Sequence, residues 1–403
     1  MSLDKLNTAL LADVATLARE GRAKAPERLI VGYVPPRDGR GPRYRLQGSD
    51  REFLRMNSNS YLSLSNHPEV LAAADRASHA FGAGPGAVRF IDGTFEPHAQ
   101  LEARIARFVG RPAARIFNSA YTTVLGVAIT LAGPDTFWIG DELNHNCIIR
   151  AMRIANVPSA QRAIFKHNDV ADLAAHLDRV PEGTGRVIVI FDGIFSMRGD
   201  HAPVAEIAQL VARHEHRFRD GVITVMDDSH GIGAYGATGR GTEEHCGAAV
   251  DVFVGTFGKA FGVNGGFVAA SAEVVEAVRQ KADTYIYTNP LGAADAAAAV
   301  HAVELADSDD GRARLANLKA RTAQFRDGLH ALGFESIPGP HAVVPLLVRD
   351  TARVRAMVAQ LFDRGILAVG LTFPVVPKGD ETIRFQINAA HTEADIASVL
   401  AAL

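Results

Sequence analysis

The chain has 403 residues, 47% of them hydrophobic and 22% charged, an ordinary soluble globular composition long enough for two or three domains. Its net charge is −3 with the basic residues scattered, which leaves no electrostatic footprint for nucleic acid. Two cysteines, Cys147 and Cys246, are too few for a disulfide framework and fit a reducing, cytoplasmic setting.

The first residues, MSLDKLNTALLADVATLAREGRA, carry Asp4 and Asp13 and lack a continuous apolar core, so a secretory signal is not expected. Leu6, Leu10, Val14 and Leu17 recur at helical spacing, which predicts an amphipathic arm packed on something. The turn-rich VPPRDGRGPR (34–43) reads as a surface connection. No run reaches the ~20 apolar residues of a membrane span.

Short apolar runs follow: ARIFN (114–118), TFWIG (136–140), RVIVIF (186–191), GVITVMD (221–227) and DVFVGT (251–256). Helical patterns lie between several of them, such as VAEIAQLVARHEHRF (204–218), whose His214 and His216 read as solvated. Near-continuous apolar strands alternating with helices predict a mostly parallel sheet covered on both faces. GAADAAAAVHAVELA (292–306) reads as a packed helix. Beyond about residue 290 come HAVVPLLVRD, the helix TARVRAMVAQLFDRG, ILAVGLTF and TIRFQINAA. A final helix starts at Thr392, capped with Asp395 three residues on. The expected organisation is an N-terminal arm and connection (1–55), a large domain (56–290) and a small α/β domain (291–403).

Ligand chemistry in such sheets collects at the carboxyl ends of the strands. Three strand ends carry reactive side chains. Lys259 follows Thr256 in DVFVGTFGKAFGVNGG; Asp227 and His230 lie in MDDSHGIGAYG; Asp141 and His145 follow TFWIG. A lysine, carboxylates and histidines gathered at one sheet edge match what pyridoxal phosphate requires. A lysine forms a Schiff base with its aldehyde. A carboxylate keeps the pyridine nitrogen protonated, and a flat side chain stacks on the ring. Thr256 and Ser119 are placed to contact the phosphate.

Other readings are weaker. GTFGKA fails the P-loop spacing, with Ala260 after the lysine. GAGPGAV (82–88) follows no strand and contains a proline, unlike a dinucleotide fingerprint. A metal site from Asp227, Asp228, His230 and His145 stays open, though no H-x-x-x-H pair or cysteine cluster supports it.

Taken together, NSYLSLSNHPEV (59–70), AVRFIDGTFEPHAQLE (87–102), DELNHNCII (141–149), FDGIFSMRGDHAP (191–203), MDDSHGIGAYGATGRG (226–241), GTFGKAFGVNGG (255–266) and FPVVPKGDETIRFQINAAHT (373–392) resemble the α-oxoamine synthases. These are fold-type-I pyridoxal-phosphate enzymes. The VRFI-x-GT, DDSH and PVVPKG forms are most similar to the 2-amino-3-ketobutyrate CoA ligases (glycine C-acetyltransferases) of that family. The resemblance implies an α/β fold with a mostly parallel seven-stranded sheet flanked by helices and a smaller C-terminal domain. It implies Lys259 as the Schiff-base lysine and proton carrier, Asp227 on the pyridine nitrogen, His230 on the phenolic oxygen, His145 stacked on the ring and Ser196 beside the Schiff base. Ala120 and Tyr121 backbone N–H groups and the Thr256 hydroxyl would hold the phosphate, joined by Thr288 from a partner subunit in a homodimer. Arg384, assisted by Asn59, would bind the amino-acid carboxylate. The implied reaction condenses glycine with acetyl-CoA, giving 2-amino-3-ketobutyrate and releasing CoA.

The chain departs from the ligase pattern at several places. Ser60 stands where Asn or Asp is usual, Ser63 replaces the glycine of YLGL, and SAYTTV (119–124) lacks the usual Ala-Asn pair. Asn146-Cys147 replaces Ala-Ser, Arg198 replaces the Asp of SMDG, and YTNPLGAAD differs as well. A pyridoxal enzyme acting on a small amino acid without CoA, and a non-catalytic relative, are the competing expectations.

Overall fold

A computed structural model describes residues 2–373 and 376–403; Pro374 and Val375, inside the FPVVPKG motif, lie outside the described residues. The chain forms two compact units, Asn59–Leu318 and Met1–Ser58 with Lys319–Leu403. Sequence reading drew its lines at 55 and 290 instead. The alanine-rich helix Ala293–Ala306 packs on the helices Pro68–Phe81 and Glu96–Phe108, which keeps residues past 290 with the large unit.

The large unit is built on a seven-stranded sheet. Its spatial order is Ala113–Phe117, Gly266–Ala270, Val252–Thr256, Val222–Asp227, Arg186–Asp192, Thr136–Asp141, Arg162–Phe165. Five neighbouring strands, from Val252–Thr256 to Arg162–Phe165, run parallel. Gly266–Ala270 is antiparallel to both of its neighbours. Within RVIVIFD, Val187 through Asp192 are all buried, as a strand covered on both faces requires. Trp138, Ile188, Ile190, Val225, Val252 and Val254 join Val124, Val127 and Ala128 of the helix Ala120–Leu131 and Ile148 and Ala151 of the helix Asn146–Ile154 in one core.

The other unit carries two four-stranded sheets. One joins Ile30–Val34, Arg43–Leu46, Glu52–Arg55 and Ile366–Leu367; the connection at 34–43 lies between its first two strands. The second joins Glu335–Ser336, Val343–Leu347, Thr382–Gln386 and Val369–Leu371, in that order. The last helix, Glu393–Leu400, starts at the Thr392–Asp395 capping box. The helix Ser2–Arg19 leaves Leu6, Leu10, Val14 and Leu17 exposed, so the stripe read as a packing face has no cover within this chain among the described residues. His214 is not solvated: 13% of its side chain is exposed, and its Nε2 lies 3.1 Å from Asp178 Oδ1.

Candidate active site

Four adjacent strands deliver the chemistry at their carboxyl ends. Val252–Thr256 leads to Lys259, Val222–Asp227 ends on Asp227, Arg186–Asp192 ends on Asp192, and Thr136–Asp141 leads to His145. Because these strands are parallel neighbours, all four side chains issue from one edge of the sheet.

Asp227 is buried. Its Oδ1 accepts the Ser229 backbone N–H at 3.1 Å and the Ser229 hydroxyl at 2.5 Å. Among the described residues, its Oδ2 has the Cys147 thiol as a partner, with Sγ at 3.6 Å. One carboxylate oxygen is thus saturated and the other stays available to a strong donor.

His145 caps the N-terminus of the helix Asn146–Ile154. Its Nδ1 accepts the Cys147 N–H at 3.3 Å and lies 2.9 Å from Cys147 Sγ. Partial burial lowers the His145 pKa; Asp227 pulls the other way, and Lys259 adds to the lowering. The ring is therefore neutral, with Nδ1 an acceptor and the proton on Nε2. Burial pushes the Cys147 thiol far up, helped by the charges of Asp227 and Asp192, so it stays a protonated donor.

His230 is buried, with Nδ1 at 2.7 Å from the Tyr61 hydroxyl, and Tyr61 also donates to Asn59 Oδ1 at 3.4 Å. This gathers His230 and Asn59 around one phenol. Ser196 is half-buried in the loop after Arg186–Asp192. Ser119 caps the helix Ala120–Leu131 through the Thr122 N–H. The N–H groups of Ala120 and Tyr121 belong to the first turn and have no acceptor within the helix, an arrangement suited to an anion. Gly266 pairs with Thr256 across the sheet, and a side chain at 266 would run into the Ala120 backbone nitrogen. Glycine there lets the helix start approach the strand end.

Thr256 is the last residue of its strand, Val252–Thr256. Its hydroxyl donates to the Gly265 carbonyl at 3.0 Å and accepts the Gly258 N–H at 3.0 Å, so its proton is engaged within its own loop. Thr288 lies 3.5 Å from Asn118 Nδ2. Arg384 sits on Thr382–Gln386 in the other unit, paired with Val369 and Pro345. Among the described residues no three His, Cys, Asp or Glu side chains form a metal-holding group.

Residues 51–403 match the family model described as aminotransferase class I and II. The 8-amino-7-oxononanoate synthase of Geobacter metallireducens is 39% identical over 353 residues, covering 87% of this chain and 88% of that protein. Mitochondrial 2-amino-3-ketobutyrate coenzyme A ligase of Homo sapiens is 37% identical over 359 residues, covering 88% of this chain and 83% of that one. This chain belongs to the α-oxoamine synthase family. The solved serine palmitoyltransferase of Sphingomonas wittichii superposes on this α-oxoamine synthase with a TM-score of 0.87 at 26% identity, over 99% of this chain and 96% of the other. The fold-type-I architecture read from the motifs is the one observed. The synthases and the ligase are similar to this chain to comparable degrees, so identity alone does not separate their substrates.

The site fits pyridoxal phosphate. Asp227 Oδ2 offers a carboxylate oxygen beside the weakly donating Cys147 thiol, which suits a pyridinium N–H. The neutral His145 offers an uncharged flat ring, and the Ala120–Tyr121 turn offers N–H groups to a phosphate. Sequence reading passed over Tyr61, Asn144, Ser229 and Asp192. All four lie inside quoted motifs, but their roles depend on neighbours that only the fold supplies.

Proposed function

We propose that this chain is a pyridoxal-phosphate-dependent acyltransferase. It condenses glycine, or another small amino acid, with acetyl-CoA or a related acyl-CoA, forms an α-amino-β-keto acid such as 2-amino-3-ketobutyrate, and releases CoA. The observation that carries the reading is the convergence of Lys259, Asp227 and His145 on adjacent strand ends, with Asp227 Oδ2 left to a strong donor.

Pyridoxal phosphate, when bound, supplies an aldehyde for amines and a cationic ring that takes up the electron pair of the amino-acid α-carbon. Lys259 Nζ would hold the group through its aldehyde, and the same amine would serve as base for the α-proton of the amino acid. Asp227 would face the ring nitrogen, its Oδ2 accepting the pyridinium N–H. His145 would cover one ring face, and His230, its Nδ1 engaged with Tyr61, would contact the phenolic oxygen. Ser196 would lie beside Lys259 at the reacting end of the group. Arg384 presents two parallel N–H donors suited to a carboxylate, with Asn59 assisting. The same reading includes a homodimer, with Thr288 reaching the phosphate of the partner subunit's site.

The test is a visible-absorbance titration of the holoenzyme with glycine, alanine, serine and threonine. Each is run alone and with acetyl-CoA, a medium-chain acyl-CoA or palmitoyl-CoA, with free thiol measured alongside. Expected is a spectral change with one amino acid that grows on adding one thioester, with thiol release. Turnover of no acyl-CoA with any of these amino acids would end the acyltransferase reading. α-Proton exchange without thioester would then point to the CoA-independent chemistry. Lys259→Ala is expected to lower turnover roughly 10³-fold or more and to abolish borohydride labelling of the 251–268 peptide.

A further inference from the structure

The reaction as proposed uses one of two aspartates that end neighbouring strands. Asp192 and Asp227 are register partners and the last residues of their parallel strands, and both are buried. Asp227 has a task; Asp192 has none so far.

The surroundings of Asp192 are built around His145. Asp192 Oδ2 accepts the His145 backbone N–H at 2.6 Å. The Asp192 backbone N–H donates to Asn144 Oδ1 at 3.1 Å, while Asn144 Nδ2 donates to the Ile190 carbonyl at 2.9 Å. Asn144 is buried as well. The loop leaving Thr136–Asp141 is thus pinned three times to the end of the next strand. The last pin falls on the residue whose ring is to lie against the cofactor.

The charges facing Asp192 are Asp227 and Asp141, with Lys259 opposite in sign; His145 and Cys147 are neutral neighbours. Two ionised carboxylates at paired buried positions repel each other. Burial first, and then the Asp227 charge, push the Asp192 carboxyl well above the usual carboxylate range, against the pull of the His145 N–H and Lys259. A protonated carboxyl keeps an oxygen to accept the N–H while adding no second negative charge beside Asp227.

We propose that Asp192 is a positioning residue: through Oδ2 it holds the His145 backbone N–H, and through it the ring, in register with Asp227. This rests on the reading that the site takes pyridoxal phosphate, and the visible band of the wild-type holoenzyme tests that reading by itself.

The test uses purified full-length Asp192→Asn and Asp192→Ala. The dissociation constant for pyridoxal phosphate is measured by fluorescence titration of the apoprotein, with the pH dependence of the visible band. Asparagine keeps a neutral acceptor. Asp192→Asn is expected to bind within about threefold of wild type with an unchanged pH profile, and Asp192→Ala about tenfold more weakly. In a His145→Ala background, where there is no ring to place, Asp192→Ala should weaken binding by less than about twofold further. Thermal midpoints of the apoproteins separate a folding defect from this pattern. Asparagine losing as much as alanine would overturn the proposal. So would wild-type affinity in Asp192→Ala, or the full Asp192→Ala loss persisting without the His145 ring.

Discussion

Two histidine–aspartate clusters lie at the same edge of the large sheet and end in opposite charge states. Around His145, one ring nitrogen accepts from the Cys147 amide, Asp192 takes the His145 backbone N–H instead of the ring, and burial leaves the imidazole neutral. Around His167, both ring nitrogens face carboxylates, Asp141 Oδ1 at 3.1 Å and Asp200 Oδ2 at 3.2 Å. Burial pushes the His167 pKa down, but the hydrogen bonds and charges of Asp141 and Asp200 outweigh it and raise it to about 9. Arg198 completes that group, with Nε 2.7 Å from Asp200 Oδ2. Two cations then balance two carboxylates, and Phe195 meets the His167 ring edge-on at 4.3 Å. The same residue types thus serve two purposes. Where a carboxylate takes a backbone N–H, the ring stays uncharged and available. Where carboxylates take the ring protons, the imidazolium fastens the loop carrying Ser196 to the neighbouring strand end.

The sharpest way to break this comparison is to change the charged end of the first cluster. Asp227→Asn keeps the shape and the Ser229 contacts but removes the charge offered by Oδ2. Loss of one preorganised electrostatic partner lowers kcat on the order of 10²–10³-fold. The expected outcome is that loss in the thiol-release assay, with a thermal midpoint near wild type. Equal loss of folding stability would place Asp227 in the structural class with His167.

The converse holds for the clamp. His167→Gln removes an imidazolium from contacts with one buried and one half-buried carboxylate and should destabilise the protein by about 1–3 kcal/mol. The affinity for pyridoxal phosphate should stay within about threefold of wild type, since the variant changes the loop's fastening and leaves His145 and Asp227 alone. The pH dependence has a definite sign. A histidine whose folded pKa is raised stabilises the native state fully below its unfolded value of about 6.5. That contribution is lost as pH rises through about 9. Denaturant unfolding from pH 6 to 10 should therefore show a wild-type decline across this window that His167→Gln lacks. A parallel decline in both proteins would remove His167 as its source.

How far each cluster could be read in advance follows from the range of its contacts. The strand ends were legible because VITVM, VFVGT and RVIVIF are apolar runs that stop at a polar residue, and period and composition are local signals. Lys259, Asp227, His145 and His230 followed from that. The strand Gly266–Ala270 was not read, because its start is hidden in NGG and it runs against its neighbours. Nor was the edge strand Arg162–Phe165, whose Ile164 is 63% exposed and so breaks the apolar pattern. The strand Ile30–Val34 is apolar in sequence but mostly exposed, and Arg43–Leu46 carries two arginines in four residues. Asp192 and Asn144 are held by partners 46 to 48 residues away in the chain, and Cys147 meets Asp227 across 80, separations at which no spacing rule operates. Asp141 was noticed as a strand-end carboxylate, but its service to His167 instead of the site required the fold.

The smallest effect concerns Ser63, which stands where the family pattern has glycine. Its φ is +55°, in the left-handed region, and its N–H donates to the Ser60 carbonyl at 2.8 Å, closing a tight turn beside Tyr61. A side chain in that region costs roughly 1–2 kcal/mol, while glycine gives back about 0.5–1 kcal/mol in unfolded-state freedom. Ser63→Gly should therefore raise stability by about 0.5–1 kcal/mol in denaturant unfolding. The pH profile of the visible band should not move, because Tyr61 keeps its hydroxyl on His230. If stability falls instead, the Ser63 side chain contributes more through its own contacts than the strained backbone costs. The turn would then belong with the His167 clamp, as a place where local strain is held by tertiary bonds, and not with the strand ends, where the backbone is regular and the chemistry lies in the side chains.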